Sequence, residues 1–155
     1  MTLPPPPPLV PMTQVRCEVG ELVTLGAAPH GERRYVPLGG GTVAGPELNG
    51  TIVAGGVDWQ LNRADGVLEI AAHYVVRTDD GALVEVRSEG YRHGPPEVMA
   101  ALARDETVDP SRYYFRTAMR FETSDAGAAW LNRILAIGYG ARANRQVTIQ
   151  VYEVL

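Results

Sequence analysis

Apolar and polar residues alternate over long stretches of the chain, and this two-residue period predicts β-strands. In residues 67–77 the even-numbered positions form an apolar face made of Leu68, Ile70, Ala72, Tyr74 and Val76. The turn Thr78-Asp79-Asp80-Gly81 joins this stretch to a second one at 82–92, which predicts an antiparallel hairpin. Residues 112–123 alternate in the same way, with Tyr113, Phe115, Thr117, Met119 and Phe121 on one face.

Further strands are predicted at 15–25, 33–38, 134–142 and 146–154, whereas 42–53 carries turn signals at Gly45-Pro46 and Asn49-Gly50. Gly39-Gly40-Gly41 is predicted to be a turn. One short helix is predicted over 97–105, and a second one ends at Arg133 after a cap at Ser124 or Asp125. Roughly eight or nine strands with few helices predict an all-β fold, either an antiparallel barrel or a sandwich. A barrel of about eight strands can hold one small ligand.

The first twelve residues differ from the rest in composition. Pro4 to Pro8 form an unbroken proline run, and Pro11 follows shortly after. Proline favours extended polyproline II and lacks the N–H that a sheet ladder needs. Residues 1–12 are therefore predicted to be a flexible proline-rich leader, and residues 13–155 a single barrel domain. The leader is interpreted as a spacer, with docking to a proline-recognising partner as the alternative.

Composition narrows the classes of function. The chain has 14 basic and 18 acidic residues and a net charge of −4, which argues against nucleic-acid binding. No stretch approaches 18 apolar residues, so no membrane-spanning helix is predicted. Cys17 is the only cysteine, which excludes an intrachain disulfide and fits a cytoplasmic protein. The sequence leaves a homodimer open.

The richest candidate chemistry lies in the segment Gly55-Gly56-Val57-Asp58-Trp59-Gln60. Two glycines free the backbone to bulge, and an acid, an indole and an amide follow at once. If Asp58 lies beside Trp59 in a partly dry site, its carboxyl pKa rises and it can carry a proton. The alternative is a structural bulge in which Asp58 bonds backbone N–H groups and Trp59 fills the core.

The predicted strands offer further candidates. His73 is a candidate proton carrier because of its residue type, but it can act as one only if the more polar face of its strand lines the barrel interior. Arg116, near Tyr114, could stabilise an anion, although the alternation favours an outer row of arginines that includes it. Trp130 and Asn132 lie on the second predicted helix, where Trp130 is either a pocket wall or core and Asn132 either a ligand contact or a cap.

Metal and cofactor motifs are absent. The histidines His30, His73 and His93 lie far apart, without the i, i+4 spacing of a helical zinc motif. The run Gly39-Gly40-Gly41-Thr42 lacks the lysine of a phosphate-binding loop. Neither a metal nor a cofactor is therefore predicted.

Several blocks of the sequence, taken together, resemble the domain-of-unknown-function family 3237. They are Gly31-Glu32-Arg33-Arg34, Gly39-Gly40-Gly41-Thr42, the Gly55–Gln60 segment, Arg63-Ala64-Asp65-Gly66, Thr78-Asp79-Asp80-Gly81-Ala82, Tyr114-Phe115-Arg116-Thr117, Phe121-Glu122-Thr123 and Trp130-Leu131-Asn132. The resemblance runs from about Gly31 to Leu155 and implies a compact β-barrel of the calycin (lipocalin-like) type. Some members of that family accompany polyketide or aromatic-compound pathways, which implies a cofactor-free cyclase or isomerase.

These observations predict a cofactor-independent enzyme of cyclase, isomerase or lyase type that acts on an enolisable polyketide-like or aromatic molecule. Asp58 or His73 would move the proton, and Arg116 or Arg34 would stabilise an enolate or carboxylate. The other residues of the predicted pocket are Trp59, Gln60, Tyr114, Trp130 and Asn132. The alternative function is a non-catalytic β-barrel that binds a small ligand.

Overall fold

Nine β-strands and three short helical segments make up the computed structural model, which describes residues 1–155. The strands are β1 (Leu9–Val19), β2 (Val23–Ala28), β3 (Gly31–Ala44), β4 (Gly50–Asn62), β5 (Leu68–Thr78), β6 (Leu83–His93), β7 (Tyr114–Glu122), β8 (Leu135–Ala143) and β9 (Gln146–Val154). The helix α1 spans Pro96–Ala103, and two 3-10 helices span Pro110–Arg112 and Ala126–Arg133.

The strands form one antiparallel sheet that closes on itself. From β2 to β9 each strand pairs with the next, β9 pairs with β1, and β1 pairs in turn with β3. This last pairing closes eight strands into a barrel, while β2 extends outside it as the hairpin partner of β3. The closed barrel confirms the predicted fold class and rules out the sandwich alternative.

The predicted alternation is confirmed on the central strands. Leu68, Ile70, Tyr74 and Val76 are buried on the inner face of β5, and Tyr113, Phe115, Thr117, Met119 and Phe121 are buried on and just before β7. In a closed barrel one face of every strand points to the interior, so the apolar positions of adjacent strands meet in one core. A single cluster of 25 buried hydrophobic residues results.

The glycine run 39–41 lies inside β3, which corrects the predicted turn. β3 pairs with β2 over its first residues and with β1 from Leu38 onwards, and its register against β4 shifts between Leu38 and Gly41. A Cβ atom on Gly41 would collide with the backbone carbonyl oxygen of Arg16. The missing side chain therefore lets β1 and β3 approach each other where the barrel closes.

The N-terminal boundary also differs from the prediction. β1 begins at Leu9, so Pro11 lies within the sheet opposite Tyr152, at a register shift between Pro11 and Thr13. Such an irregularity tolerates proline because it interrupts the ladder of hydrogen bonds. Met12 is fully buried, and the exposed proline-rich leader is accordingly shorter than residues 1–12.

The two ends of the barrel are covered by different segments. The predicted helices are confirmed, although the second is of 3-10 type and begins after Asp125, whose carboxylate accepts a hydrogen bond from the Ala128 N–H. α1 follows β6 at the end that we call the mouth, whereas Ala126–Arg133 covers the opposite end. None of the helices is long and apolar enough to cross a membrane.

Closure at Gly41 can be tested with two neighbouring glycines. Gly41→Ala is expected to lower the free energy of unfolding by about 2 kcal/mol or more, because the new methyl group must displace backbone. Gly40→Ala is the matched control: a Cβ atom there meets only the Ile52 carbonyl oxygen, at 3.9 Å. It should cost less than about 1 kcal/mol. Urea unfolding measures both, and equal losses would contradict a special role for Gly41.

Candidate active site

A cavity lies inside the barrel, towards its mouth. Its volume is about 60 Å³, measured as the space that the centres of water molecules can occupy. One water needs about 10–15 Å³ by that measure, so the cavity has room for a small ligand. Eleven of its seventeen lining residues are hydrophobic, including Val36, Ile70 and Phe115.

A bulge in β4 places the polar side chains of this cavity. The register between β4 and β5 shifts between Val53 and Val57, around Gly55, whose φ is 114°. A Cβ atom on Gly56 would lie 2.6 Å from the Tyr74 Cβ, so only glycine fits against β5 here. Beyond the bulge the alternation resumes, and Asp58 and Gln60 point into the cavity.

The Asp58 carboxylate is held by two hydrogen bonds. Its Oδ2 accepts from the Gln60 Nε2 at 2.7 Å, and its Oδ1 accepts from the Ala71 N–H at 3.2 Å. Gln60 is itself oriented by Arg34, whose Nε donates to the Gln60 Oε1 at 2.9 Å. The amide of Gln60 therefore turns its NH₂ group towards Asp58, and the carboxylate has a fixed orientation.

Burial raises the pKa of the Asp58 carboxyl to about 6, because the charged form is poorly solvated in an apolar cavity. The Gln60 hydrogen bond, the Arg92 charge, the Ala71 N–H and the Arg34 charge all oppose that shift without cancelling it. Asp58 can therefore exist in both protonation states near neutral pH, which is what a proton carrier requires.

Arg92 is a buried cation without a carboxylate partner. It is 5% exposed, and its Nε has no hydrogen-bond partner. None of the ion pairs of the protein includes Arg92. Its guanidinium lies over the Phe115 ring at 5.6 Å. Burial and the neighbouring Arg142 charge lower the pKa of Arg92 to about 10, although Asp58 raises it, so the group remains a cation near neutral pH.

A second, wider space lies directly outside the cavity, and we call it the vestibule. It is lined by residues that include Leu68, Met99 and Asp105, and Arg92 and Arg142 line both spaces. The Arg142 Nη2 donates to the Asp105 Oδ1 at 2.8 Å, whereas its Nε is buried without a partner. Two guanidiniums therefore mark the neck between the cavity and the vestibule.

Two other reactive side chains line the cavity. Burial raises the pKa of the Cys17 thiol to about 11, with smaller contributions from Glu18 and Asp58. The thiol therefore stays protonated near neutral pH and is a poor nucleophile. Burial also raises the pKa of the Tyr74 hydroxyl. No group of three or more His, Cys, Asp or Glu side chains is arranged to hold a metal ion.

Three of the residues singled out from the sequence come together here. Asp58 and Gln60 line the cavity, and Arg34 lines the vestibule and contacts Gln60. Trp59 points the other way, since neighbours in a strand face opposite sides. It is 40% exposed on the outer surface, where its ring packs against Tyr35 at 5.1 Å and Arg33 lies over it.

His73, Arg116 and Tyr114 also lie on the outer surface, and this corrects the expectation that they share the cavity with Asp58. The His73 Nε2 lies 3.2 Å from a Glu85 carboxylate oxygen on the neighbouring strand. The Arg116 guanidinium lies 3.6 Å from the centre of the Tyr139 ring and 5.3 Å from that of Tyr114. Arg116 therefore belongs to an outer row of arginines, which is the alternative that the alternation of the sequence favours.

Trp130 and Asn132 lie at the end of the barrel opposite to the mouth, and neither lines the cavity. Trp130 is partly buried against the core. The Asn132 side chain accepts from the Thr123 N–H at 2.8 Å and donates to the Thr123 carbonyl oxygen at 2.9 Å. Both therefore hold the 3-10 helix onto the barrel.

Sequence reasoning missed Arg92 and Arg142, although one signal for Arg92 was present. Val84, Val86 and Ser88 occupy alternate positions of β6, and the same parity continues to Arg92. An arginine at the inner end of an apolar face is an unusual buried charge. Arg142 gave no comparable signal, because its role depends on α1 and Asp105 approaching the mouth.

Comparison with known proteins identifies the family of this chain. The family described as "Protein of unknown function (DUF3237)" matches residues 7–154. The chain belongs to this family. The match begins earlier than the resemblance identified in the sequence, and it includes β1, which closes the barrel.

Bacterial relatives share both sequence and fold. A UPF0311 protein from Rhodopseudomonas palustris is 39% identical over 141 residues, which cover 91% of this chain and 92% of that protein. Its crystal structure matches with a TM-score of 0.91 and 36% identity, over 99% of this chain and 100% of that one. A beta-barrel-like protein from Acinetobacter baumannii matches with a TM-score of 0.87 and 37% identity, over 100% of both chains.

A more distant relative carries a named activity. The hydroalkoxylation enzyme phnH from Penicillium herquei is 27% identical over 117 residues, which cover 76% of this chain and 63% of that protein. This chain is therefore distantly similar to a protein that is named as an enzyme.

The buried carboxyl makes stability depend on pH. Burial raises the pKa of Asp58 from 3.8 to about 6, so the folded protein retains a proton there that the unfolded chain has lost between these values. The stability of the wild type relative to Asp58→Asn should fall as pH rises through that window, by up to about 3 kcal/mol. It should be constant on either side. Unfolding curves of both proteins from pH 3 to 8 test this, and a flat difference would contradict it.

Proposed function

We propose that the protein is a small-molecule enzyme that moves protons by acid–base catalysis at Asp58. The observation that carries this proposal is a carboxyl group with a pKa of about 6, fixed in orientation and facing an apolar cavity with room for a ligand. An efficient general acid or base has a pKa near the working pH, and burial brings this carboxyl there. Proton transfer needs only side chains, so we propose a cofactor-independent reaction.

Gln60 and Arg34 are assigned as positioning residues. Arg34 acts on Gln60, and Gln60 acts on Asp58, through hydrogen bonds of 2.9 and 2.7 Å. One lone pair on each carboxylate oxygen is occupied by the donors from Gln60 and Ala71. A carboxylate has about four acceptor positions in all, so others remain for a substrate proton.

The reaction class that fits best begins at a carbon next to a carbonyl group. Ionised Asp58 would take a proton from that carbon and leave an enolate, whose negative charge the nearby Arg92 guanidinium would stabilise. Protonated Asp58 would then return the proton to another atom of the same molecule, which gives an isomer. Proton removal could also drive ring closure, as in a cyclase.

The distant similarity to a hydroalkoxylation enzyme supports chemistry of this kind. Hydroalkoxylation adds an O–H group across a carbon–carbon double bond: a C–O and a C–H bond form, and the O–H and the π bond break. A proton leaves oxygen and a proton reaches carbon, so one carboxyl can take the first and deliver the second. We propose that the substrate is an aromatic or polyketide-like molecule.

We also propose a cytoplasmic location for the protein. The absence of a second cysteine supports it.

A non-catalytic ligand-binding barrel is the second candidate. It is favoured by the apolar lining and by the two hydrogen bonds that already engage Asp58 within the protein. In that case Asp58 would only hold β4 against β5.

Deuterium exchange at an activated carbon distinguishes the two candidates. Acetophenone in D₂O is the probe, because its methyl protons exchange through an enolate and ¹H NMR follows their loss. The wild type should accelerate the exchange, and the acceleration by Asp58→Asn should be at least about 100-fold smaller. His73→Gln is the control and should retain it, since His73 lies outside the barrel. Equal rates for the wild type and Asp58→Asn would favour the binding barrel.

The pH profile of the same exchange identifies the ionised form as the base. The acceleration should rise with pH and reach half of its plateau near pH 6, the pKa of Asp58. A profile that falls above pH 6 would instead require the protonated carboxyl. A midpoint near the ordinary pKa of aspartate would contradict the argument that burial raises the pKa of Asp58.

A further inference from the structure

We propose that Arg92 and Arg142 form a binding site for a single carboxylate at the neck of the barrel, so that the natural ligand is an aromatic or otherwise apolar monocarboxylic acid. The site would hold the carboxylate between the two guanidiniums and the apolar part of the ligand in the cavity. This inference names the ligand class for the proposed function, but it does not depend on proton transfer by Asp58.

Arg92 supplies the first argument. A guanidinium that is 5% exposed and has an unpartnered Nε is costly in an apolar wall. The Phe115 ring at 5.6 Å compensates part of that cost. Because Arg92 lines both the cavity and the vestibule, a ligand at the neck can reach it. A carboxylate there would give the guanidinium group an acceptor, which the protein does not supply.

Arg142 supplies the second argument. It also lines both spaces, and its Nε is likewise buried without a partner. Two features fix its position: the Arg142 Nη2 donates to Asp105 at 2.8 Å, and the backbone N–H of Arg142 donates to the Tyr113 hydroxyl oxygen at 3.0 Å. Two like charges at one neck repel each other, and an anion between them would turn that repulsion into attraction.

The charge balance of the two spaces points to one negative charge. The charged side chains that line them are four arginines (Arg34, Arg92, Arg142 and Arg145) and three acids (Glu21, Asp58 and Asp105). With Asp58 ionised, one positive charge is therefore in excess. A monoanion balances this single charge, whereas a phosphate dianion would exceed it. Guanidiniums also bind carboxylates through paired N–H groups.

The cavity supplies the complement for the rest of the ligand. Hydrophobic side chains such as Val36, Ile70 and Ile149 line it, and their burial against a ring would favour binding by the hydrophobic effect. Benzoate has both features in minimal form, and benzamide is a neutral molecule of nearly the same shape. The pair therefore isolates the contribution of the charge.

NMR titrations of the full chain with benzoate and benzamide at pH 7.5 test the proposal. Benzoate should bind at least about ten-fold more tightly than benzamide, as expected for charge-assisted hydrogen bonds. Arg92→Met should remove that preference and leave benzamide affinity within about two-fold, because the apolar cavity remains. Arg142→Met should reduce the preference in the same direction. Arg120→Met is the matched control on the exposed face of β7 and should bind as the wild type does.

Several results would overturn the proposal. Equal affinities of the wild type for benzoate and benzamide would do so without any variant, so the test survives if Arg92→Met fails to fold. Unchanged benzoate affinity in both arginine variants would also do so. Tighter binding of phenyl phosphate than of benzoate would reject the monoanion. Loss of acetophenone exchange in Asp58→Asn is a separate readout, so failure of the carboxylate site and failure of the catalytic proposal can be told apart.

Discussion

Closure of the barrel between β1 and β3 is the constraint on which the site depends. The two strands pair only because Gly41 leaves room for the Arg16 carbonyl oxygen. If the sheet stayed open, the face that lines the barrel interior would be in contact with water. Closure removes that water, and the removal of water raises the pKa of Asp58 and lowers that of Arg92. The backbone geometry at one glycine therefore controls the electrostatics of side chains on other strands.

The polar groups inside the barrel fall into two classes. Ser88 and Thr117 satisfy each other through a hydrogen bond of 2.8 Å, and Gln60 has partners on both sides of its amide. These groups cost little because each has its partner. Arg92 and Arg142 are different, since nothing in the protein accepts from the Nε of either. A fold that satisfies its other buried polar side chains and leaves these two open is arranged for a ligand rather than for maximal stability.

The sequence was sufficient for the fold and for part of the site. Alternation predicted β5, β6 and β7 within one or two residues, because side chains in a closed barrel have only two directions. The same rule shows why Asp58 and Trp59 cannot both face the cavity. It also places Arg92 inside, an inference that the pattern of β6 contained. What alternation cannot supply is closure: Gly39-Gly40-Gly41 has the composition of a turn, and only the pairing with β1 shows that it belongs to a strand.

The structural and the chemical interpretations of Asp58 are not exclusive. The Ala71 N–H bonds the carboxylate, as the structural interpretation expected, and this contact ties β4 to β5 just beyond the bulge. The same bond, together with that from Gln60, prevents the carboxylate from rotating. It therefore reduces the reorganisation that proton transfer would otherwise require.

Burial sets the pKa of Asp58, while the hydrogen bonds set the direction in which its remaining lone pairs point. A carboxyl group that was only buried would titrate near neutrality, but its lone pairs would have no fixed direction. A carboxyl group that was only held by hydrogen bonds would stay ionised. Asp58 has both properties because the bulge at Gly55 and Gly56 turns it inward at the one strand position where Gln60 and Ala71 can reach it.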